Sequence, residues 1–215
     1  LVVRTTCGAG RGGAAHHAQA THAVFLHFPG LKIVTPATPH DVKGLLFTAI
    51  EDENPVLFVE DKMMYNMKGE VPEGYYTVPF GQAAVRHEGK DVTIVATLRM
   101  VHKALTVAQE MEAEGIGIEV IDPRTLCPLD KETIINSFKK TGKMIIVDEG
   151  NRVLNFGSEV ASIIAEEAVE YIQAPILKVT APHVPVPYSP VLEKEVYIPN
   201  EEGIKKAVHK VLEYA

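Results

Sequence analysis

The stretch that decides the fold reads VTIVATLRMVHKALTVAQEMEAEGIGIEVID, residues 92–122. Its two ends, VTIVAT (92–97) and IEVID (118–122), are short runs rich in β-branched residues, which are typical of buried strands. Between them apolar residues recur at helical spacing as far as Gly115, a residue that favours the end of a helix. The predicted stripe consists of Val101, Ala104, Leu105, Ala108 and Met111. A strand, a helix and a second strand in this order predict a parallel βαβ unit.

The alternation of strand and helix continues towards the C-terminus. Two more strands are predicted at MIIVD (144–148) and ILKVT (176–180). Helices are predicted from Asp130 to Gly142, from about Gly157 to Tyr171, and from Asn200 onwards. The second part of the chain is therefore expected to be an α/β domain with a mostly parallel sheet and helices on both faces.

The first part shows a shorter version of the same pattern. Strands are predicted at Leu1–Thr6, Leu31–Val34 and Val56–Val59. A helix between the last two has a clear start, with Thr38 as N-cap and Pro39 at the first helical position. Its predicted buried face consists of Val42, Leu45, Leu46 and Ala49.

The region between the two parts lacks a sustained period. Residues 61–80 are rich in turn-forming prolines and glycines, which indicates a linker. We therefore predict a first domain over residues 1–65, a linker over 66–84 and a second domain over 85–215.

Composition restricts the class of protein. The 215 residues are 46% hydrophobic, enough for one large or two modest domains. A formal charge of −7 at pH 7 and a pI near 5.7 argue against nucleic-acid binding, which favours a basic patch. No apolar run reaches about 18 residues, the length of a membrane span, and no signal peptide is visible. Cys7 and Cys127 have no metal-type spacing, so reduced thiols and a cytoplasmic location are expected.

The glycine-rich segment CGAGRGGAAHHAQ (7–19) follows the first strand and contains a G-x-G-x-x-G pattern. A dinucleotide site of this type also needs an acidic residue about 20 residues further on, to bind the ribose. No Asp or Glu occurs between Gly13 and Asp41. The Lys-Ser/Thr pair of a phosphate-binding P-loop is also absent. The glycines are therefore interpreted as a flexible loop near an active site.

Four histidines, His16, His17, His22 and His27, lie close together in sequence. No pair has the i, i+4 spacing of ligands on one helix face, and no glutamate joins them, which argues against zinc. We expect His22 to be an ordinary packed or surface residue that makes one hydrogen bond. His17 is the stronger functional candidate because it follows the glycines, and an imidazole gains or loses a proton near neutral pH.

Several segments together make the chain resemble a known family. They are VR (3–4), GAG (8–10), HAQ (17–19), HFPGLK (27–32), DVKGL (41–45), AIEDENP (49–55), YTVPFG (76–81), VIDPRT (120–125), PLD (128–130) and VPVPY (184–188). Their order and spacing are similar to those of the β subunit of the thiamine-diphosphate-dependent 2-oxoacid dehydrogenases. Within that family, DPRTL (122–126) and KGEVP (68–72) most resemble the acetoin dehydrogenase type, with the pyruvate and branched-chain types next.

The resemblance implies an architecture and an activity. The expected fold is the rear part of a thiamine pyrimidine-binding domain followed by a transketolase C-terminal-like α/β domain. The expected protein is one subunit of an α2β2 oxidoreductase that cleaves acetoin or decarboxylates a 2-oxoacid and passes the acyl group to a lipoyl arm. Its partners would be an α subunit, a second β subunit and a dihydrolipoyl acyltransferase core.

The resemblance also places the cofactor, thiamine diphosphate with Mg²⁺, between the α and β subunits. Full-length β subunits begin upstream of Leu1, and that preceding part carries the glutamate that activates the cofactor and the aromatic residues that stack on it. We therefore expect an N-terminally truncated chain that is inactive alone, and we assign no cofactor-binding residue within it. The alternative is a non-catalytic module for subunit assembly and docking.

The resemblance assigns two sets of site residues. His17 matches the family's active-site histidine, where it would transfer protons beside the cofactor, whereas His16 is not assigned a catalytic role. A potassium ion is expected on backbone carbonyls, with an ordinary turn before Pro55 as the alternative interpretation. By position the potassium ligands are Leu1, Ala49, Ile50, Asp52 and Asn54.

The C-terminal part carries weaker signals. Asp148 and Glu149 end a predicted strand, where ligands of open α/β sheets bind, although the resemblance implies that this domain chiefly packs subunits together. The proline-rich arm 181–190 is expected to be an extended interface segment. A group of acids could meet a basic docking domain, but solvated charge is the favoured interpretation. These acids are Glu193, Glu195, Glu201 and Glu202.

Overall fold

The structure, a computed structural model, describes residues 1–214 as two sheets with helices around them. The strands are β1 (Val2–Cys7), β2 (Lys32–Val34), β3 (Val56–Asp61), β4 (Ala84–His87), β5 (Val92–Ala96), β6 (Ile118–Asp122), β7 (Thr125–Cys127), β8 (Met144–Asn151) and β9 (Leu177–Ala181). The helices are α1 (Ala14–Ala18), α2 (His22–Phe25), α3 (Pro39–Glu51), α4 (Arg99–Glu112), α5 (Lys131–Thr141), α6 (Phe156–Glu167), α7 (Pro190–Leu192) and α8 (Glu201–Leu212). A π-helical turn, Glu193–Tyr197, follows α7 directly.

The predicted α/β fold is confirmed. β5 pairs in parallel with β6 and with β8, and β8 pairs in parallel with β9. β1 and β2 both pair in parallel with β3 in the other sheet. Each of the seven strands predicted from sequence is present. The predicted parallel βαβ unit is β5, α4 and β6.

The helix-start signals act as predicted. The Thr38 hydroxyl accepts the backbone N–H of Asp41 at 3.1 Å, which satisfies one of the free N–H groups in the first turn of α3. Asp130 caps α5 in the same way, and α5 ends at Gly142, whose φ of 66° is left-handed. Asn200 caps α8.

Two short antiparallel strands were not predicted. β4 pairs with β6 at the edge of the second sheet. β7 pairs with β2 in the first sheet, although its residues belong to the predicted second domain. Neither strand is long enough for alternation to show in the sequence, since β4 has four residues and β7 has three. The first sheet therefore has the order β1-β3-β2-β7 and includes a strand from each part of the chain.

Two helix predictions need correction. α3 buries Leu45 and Ala49 as predicted, but Val42 and Leu46 are only half-buried and line a cavity of about 530 Å³ beside β3. The helix predicted over residues 157–171 ends as α6 at Glu167. The backbone at Ala168 has φ −150° and ψ 28°, outside the helical range, and a separate 3₁₀ turn follows.

The two parts of the chain share buried contacts. One hydrophobic cluster joins Cys7 and Leu57 of the first sheet with Ile146 of the second sheet and Phe156 of α6. The division into domains over residues 1–65 and 85–215 remains a prediction, but the two parts pack directly on each other.

A buried ion cluster also crosses this boundary. The side chain of Asp41, on α3, is fully buried and lies 3.1 Å from the Arg124 guanidinium. Arg86, on β4, donates to both Asp41 and Asp122, the latter at 2.7 Å. Burial raises the pKa of Asp41, but the two arginines outweigh burial and lower it below its usual value. The first part of the chain is thus tied electrostatically to the second.

We expect Asp41→Asn to destabilise the chain by about 3 kcal/mol at pH 7, because it leaves two partly buried guanidinium groups without one of their counter-ions. The pKa of Asp41 is lowered in the folded state, so its contribution is present above about pH 4 and is lost as the pH falls. Urea denaturation at pH 7 and at about pH 2.5, below the ordinary pKa of an aspartate, measures both effects.

The matched control is Glu53→Gln, at an exposed carboxylate just beyond the same helix. It should change the free energy of unfolding by no more than about 0.5 kcal/mol. Equal effects of the two variants would contradict the role assigned to the ion cluster.

Candidate active site

The glycine loop, Gly8–Gly13, connects the end of β1 to α1. Gly8 has φ +100°, and a Cβ atom there would lie 2.4 Å from Oδ1 of Asp61. Gly12 has φ +67°, and a Cβ atom there would lie 3.1 Å from the carbonyl oxygen of Tyr188. Both positions need glycine, because the backbone conformation is left-handed and the neighbours are close.

His17 lies in α1, directly after the glycine loop, and its side chain is exposed. Its ring centroid is 4.5 Å from that of His16, and its backbone carbonyl accepts the Lys62 ammonium. α1 has only five residues, so its position depends on tertiary contacts rather than on helix propensity. The structure presents the His17 imidazole to solvent on a short helix that the glycine loop positions.

A charged network lies beneath the loop. The Glu149 carboxylate, at the end of β8, accepts the backbone N–H of Ala9 at 2.6 Å and also pairs with Arg99. Arg99, at the start of α4, also lies 3.2 Å from Asp61 and donates to the Ala9 carbonyl at 3.1 Å. Burial raises the pKa values of Glu149 and Asp61, and Arg99 opposes that shift in both. The strand end at Glu149 therefore binds the protein's own glycine loop.

The prediction for Glu193 is wrong. Its side chain is fully buried, and its Oε2 accepts the backbone N–H of Gly12 at 2.8 Å. By contrast, Glu195 is exposed, Glu201 pairs with Lys103, and Glu202 pairs with Lys206. Glu193 was missed because a single acid among other acids gives no sign of burial in a sequence.

The predicted potassium ligands lie in one region. Ala49 and Ile50 are in the last turn of α3, and Asp52 is the C-cap. Asp52 pairs with Lys32 and accepts the backbone N–H of Asn54 at 2.8 Å, and these hydrogen bonds, that of Lys32 first, lower the pKa of Asp52 to about 2. The carbonyl of Leu1 lies beside this turn, where it accepts the Val56 N–H at 2.9 Å.

The described residues contain no group of three or more His, Cys, Asp or Glu side chains arranged to hold a metal ion. Over the same residues, no helix is long and apolar enough to cross a membrane. Cys7 is buried and Cys127 is partly buried, and both are free thiols.

Comparison with known proteins identifies the family to which the chain belongs. Residues 81–204 match the transketolase C-terminal domain, and residues 1–68 match the transketolase pyrimidine-binding domain. The chain belongs to the transketolase family. A solved family structure described as a split-gene transketolase, inactive β4 tetramer, superposes with a TM-score of 0.77 at 31% identity, covering 99% of this chain and 66% of that one.

Curated relatives narrow the group within the transketolase family. The chain is 47% identical to the β subunit of acetoin:2,6-dichlorophenolindophenol oxidoreductase from Bacillus subtilis, over 99% of this chain and 62% of that protein. It is 44% identical to the 2-oxoisovalerate dehydrogenase β subunit of the same organism, over 100% and 66%. It is 43% identical to the pyruvate dehydrogenase E1 β subunit of Rickettsia felis, also over 100% and 66%. The resemblance seen in the sequence is confirmed, and the chain spans less than two thirds of the length of these relatives.

Of the two alternatives for His22, packed or surface, the structure shows the packed one. It is buried, and its Nε2 lies 3.1 Å and 3.2 Å from the two carboxylate oxygens of Asp148, which also accepts the Thr97 hydroxyl at 3.0 Å. Burial disfavours the charged imidazole, but the charge of Asp148 and the hydrogen bond to it outweigh burial, so the pKa of His22 is raised. Burial also opposes ionisation of Asp148, yet His22 lowers its pKa. The pair joins the segment after α1 to the end of β8.

We expect His22→Gln to destabilise the chain by about 3 kcal/mol at pH 5.5, where both members of the pair are charged. The raised pKa of His22 gives a contribution that is complete below about pH 6.5 and is lost as the pH rises through the folded-state value. The lowered pKa of Asp148 gives one that is present above about pH 4 and is lost at lower pH. The destabilisation, measured by urea denaturation, should therefore shrink from pH 5.5 to pH 9.

The control for this series is His27→Gln, at an exposed imidazole in the following turn. Its effect should be small and nearly independent of pH over the same range. A destabilisation by His22→Gln that stays constant from pH 5.5 to pH 9 would show that the pair is not ionised.

Proposed function

We propose that this chain is the β subunit of a thiamine-diphosphate-dependent dehydrogenase that cleaves acetoin or decarboxylates a 2-oxoacid and transfers the acyl group to a lipoyl arm. The names of its relatives support this proposal, since all are β subunits of oxidoreductases or dehydrogenases. The observation that carries it is the exposed His17 imidazole on a short helix, directly after the glycine loop. Two backbone N–H groups of that loop donate to buried carboxylates of the same chain.

His17 has the properties that a proton-transfer residue needs. An imidazole takes up and releases a proton near neutral pH, so it can act as acid and as base within one reaction cycle. When bound, thiamine diphosphate supplies the electron sink for cleavage of the bond next to the carbonyl carbon. We propose that His17 moves protons to and from the reacting atoms there, and that His16 does not.

The residues present fit only part of a thiamine diphosphate site. They supply a proton-transfer group, and within residues 1–214 no group of three or more His, Cys, Asp or Glu side chains is arranged to hold a metal ion. The relatives are named as β subunits, so we propose that an α subunit binds the diphosphate and its Mg²⁺ and that the active site forms where the two subunits meet. A second β subunit and an acyltransferase core are further proposed partners.

The activity test compares His17→Ala with His16→Ala. Each variant is made in a β subunit that contains this chain and is as long as its relatives, and it is assembled with an α subunit, thiamine diphosphate and Mg²⁺. His17→Ala should lower kcat about 100- to 10,000-fold, the range for loss of a general acid or base, while His16→Ala should change kcat little. Acetoin, pyruvate and branched-chain 2-oxoacids are the substrates to compare. Unchanged turnover by His17→Ala would contradict the catalytic role assigned to His17.

We also propose the potassium site at the C-terminal end of α3. Asp52 N–H is bonded to the carbonyl of Thr48, while the carbonyls of Ala49 and Ile50 lie beyond the helix's own hydrogen-bond ladder. Carbonyl oxygens at a helix C-terminus favour a cation, and a monovalent ion does not depend on the identity of the side chains. The alternative is an ordinary turn, in which the Lys32 ammonium is the only cation beside Asp52 among the described residues.

Ion specificity decides between these interpretations. At ten times its dissociation constant, potassium should raise the free energy of unfolding by about 1.4 kcal/mol through binding to the folded state. The measurement is thermal unfolding in potassium, sodium and lithium chloride at equal ionic strength. Equal Tm values in the three salts would count against the site.

The second candidate function is a non-catalytic module that only assembles or docks subunits. It is favoured by the structural neighbour, which is described as an inactive β4 tetramer. The activity test separates the two candidates, because an assembly module would join the complex and leave turnover independent of His17.

A further inference from the structure

Two carboxylates from distant parts of the second half bind two amides of the glycine loop. Glu149 accepts the N–H of Ala9 at 2.6 Å, and Glu193 accepts the N–H of Gly12 at 2.8 Å. Both acids are buried, with 6% and 0% of their surface exposed. The two hydrogen bonds fix the loop on either side of the exposed Arg11.

Of the two carboxylates, Glu193 has the environment that is harder to explain by stability. Glu149 has Arg99 as a counter-ion, whereas no Lys, Arg or His within residues 1–214 forms an ion pair with Glu193. Its second oxygen, Oε1, is buried and has no hydrogen-bond partner in the described part of the chain. A buried acid in such surroundings lowers stability relative to an apolar side chain of similar size. Its presence therefore calls for a role other than stability.

The local backbone directs Glu193 at the loop. Glu193–Tyr197 is a single π-helical turn, a feature that often marks functional sites. Its two end residues are buried while the three between them are exposed. Tyr197 packs with Ala9 of the loop and Ala18 of α1 in one cluster. The turn thus brings a carboxylate to the loop backbone and an aromatic ring against both the loop and α1.

The start of α1 needs such support. Its N-cap is Gly13, which has no side chain that could accept a hydrogen bond from the first turn. The next residue, Ala14, has φ +50°, a left-handed value that costs energy in a residue with a Cβ. A strained start and a length of five residues leave α1 unable to hold His17 by itself. The Gly12 amide bound by Glu193 lies directly before this strained start.

We propose that Glu193 is a positioning residue for His17: its carboxylate binds the Gly12 amide and holds the glycine loop in the conformation from which α1 begins. The proposal rests on the proposed function in so far as His17 is the group that is positioned. The hydrogen bond itself can be tested without any activity.

The test uses Glu193→Met in the full chain, because methionine fills a similar volume and cannot accept the Gly12 hydrogen bond. Trypsin cleavage after Arg11, followed by mass spectrometry under native conditions, reports opening of the loop. Cleavage after Arg11 should accelerate about tenfold, the effect of losing one hydrogen bond. Urea denaturation should show stability that is unchanged or increased. A merely structural residue would not give this combination.

Two further variants complete the test. Glu193→Gln keeps an acceptor oxygen and should restore most of the protection, whereas Glu195→Met, two residues along and exposed, should leave cleavage unchanged. The proposal is overturned if Glu193→Met cleaves no faster than Glu195→Met. It is also overturned if the faster cleavage is matched by an equal loss of global stability.

Turnover of the assembled enzyme separates this proposal from the proposed function. If both hold, Glu193→Met lowers kcat about tenfold or more, and Glu193→Gln recovers it. If His17→Ala keeps full turnover while Glu193→Met still opens the loop, the catalytic assignment fails and the loop contact stands. If Glu193→Met opens the loop and kcat does not change, Glu193 does not position a catalytic group.

Discussion

Burial of charge between the two halves of the chain is the constraint on which the rest of the structure depends. Asp41, Asp148 and Glu193 have no exposed surface, and each finds its partner in the other half. Removing a carboxylate from water is unfavourable unless a cation or hydrogen-bond donors replace the water. The packing of the two halves is therefore constrained, because it supplies these three buried acids with donors from the opposite half.

The fold could be predicted from the sequence where burial leaves a periodic pattern. The strands from 92, 118 and 144 are rich in Val and Ile and almost entirely buried because both of their faces are covered, and helices such as α8 show one apolar stripe. β7 could not be predicted, because three residues show no period and their partner, β2, is about 90 residues away in sequence. Through β7, the second half of the chain contributes a strand to the first sheet.

The candidate site could be predicted less completely. His17 was proposed from the resemblance to a family and from its place after the glycines, and His22 was expected to be a packed or surface residue with one hydrogen bond. The carboxylates that hold the loop were not found, since an acid that is buried looks the same in a sequence as one that is solvated. Asp148 and Glu149 gave one usable signal, because acids at the end of a buried parallel strand lie where such sheets bind ligands. In this structure Asp148 binds His22, and Glu149 binds the backbone N–H of Ala9.

The glycine loop shows why its G-x-G-x-x-G pattern misleads. In a dinucleotide site, glycines let backbone amides approach the phosphates of a ligand. Here the same freedom lets Ala9 and Gly12 turn their amides towards two buried carboxylates of the same chain. The physical chemistry is shared, since both arrangements bring amides to an anion. Because the anions here belong to the protein, the loop binds no phosphate through those amides and is instead held in place, with His17 exposed beside it.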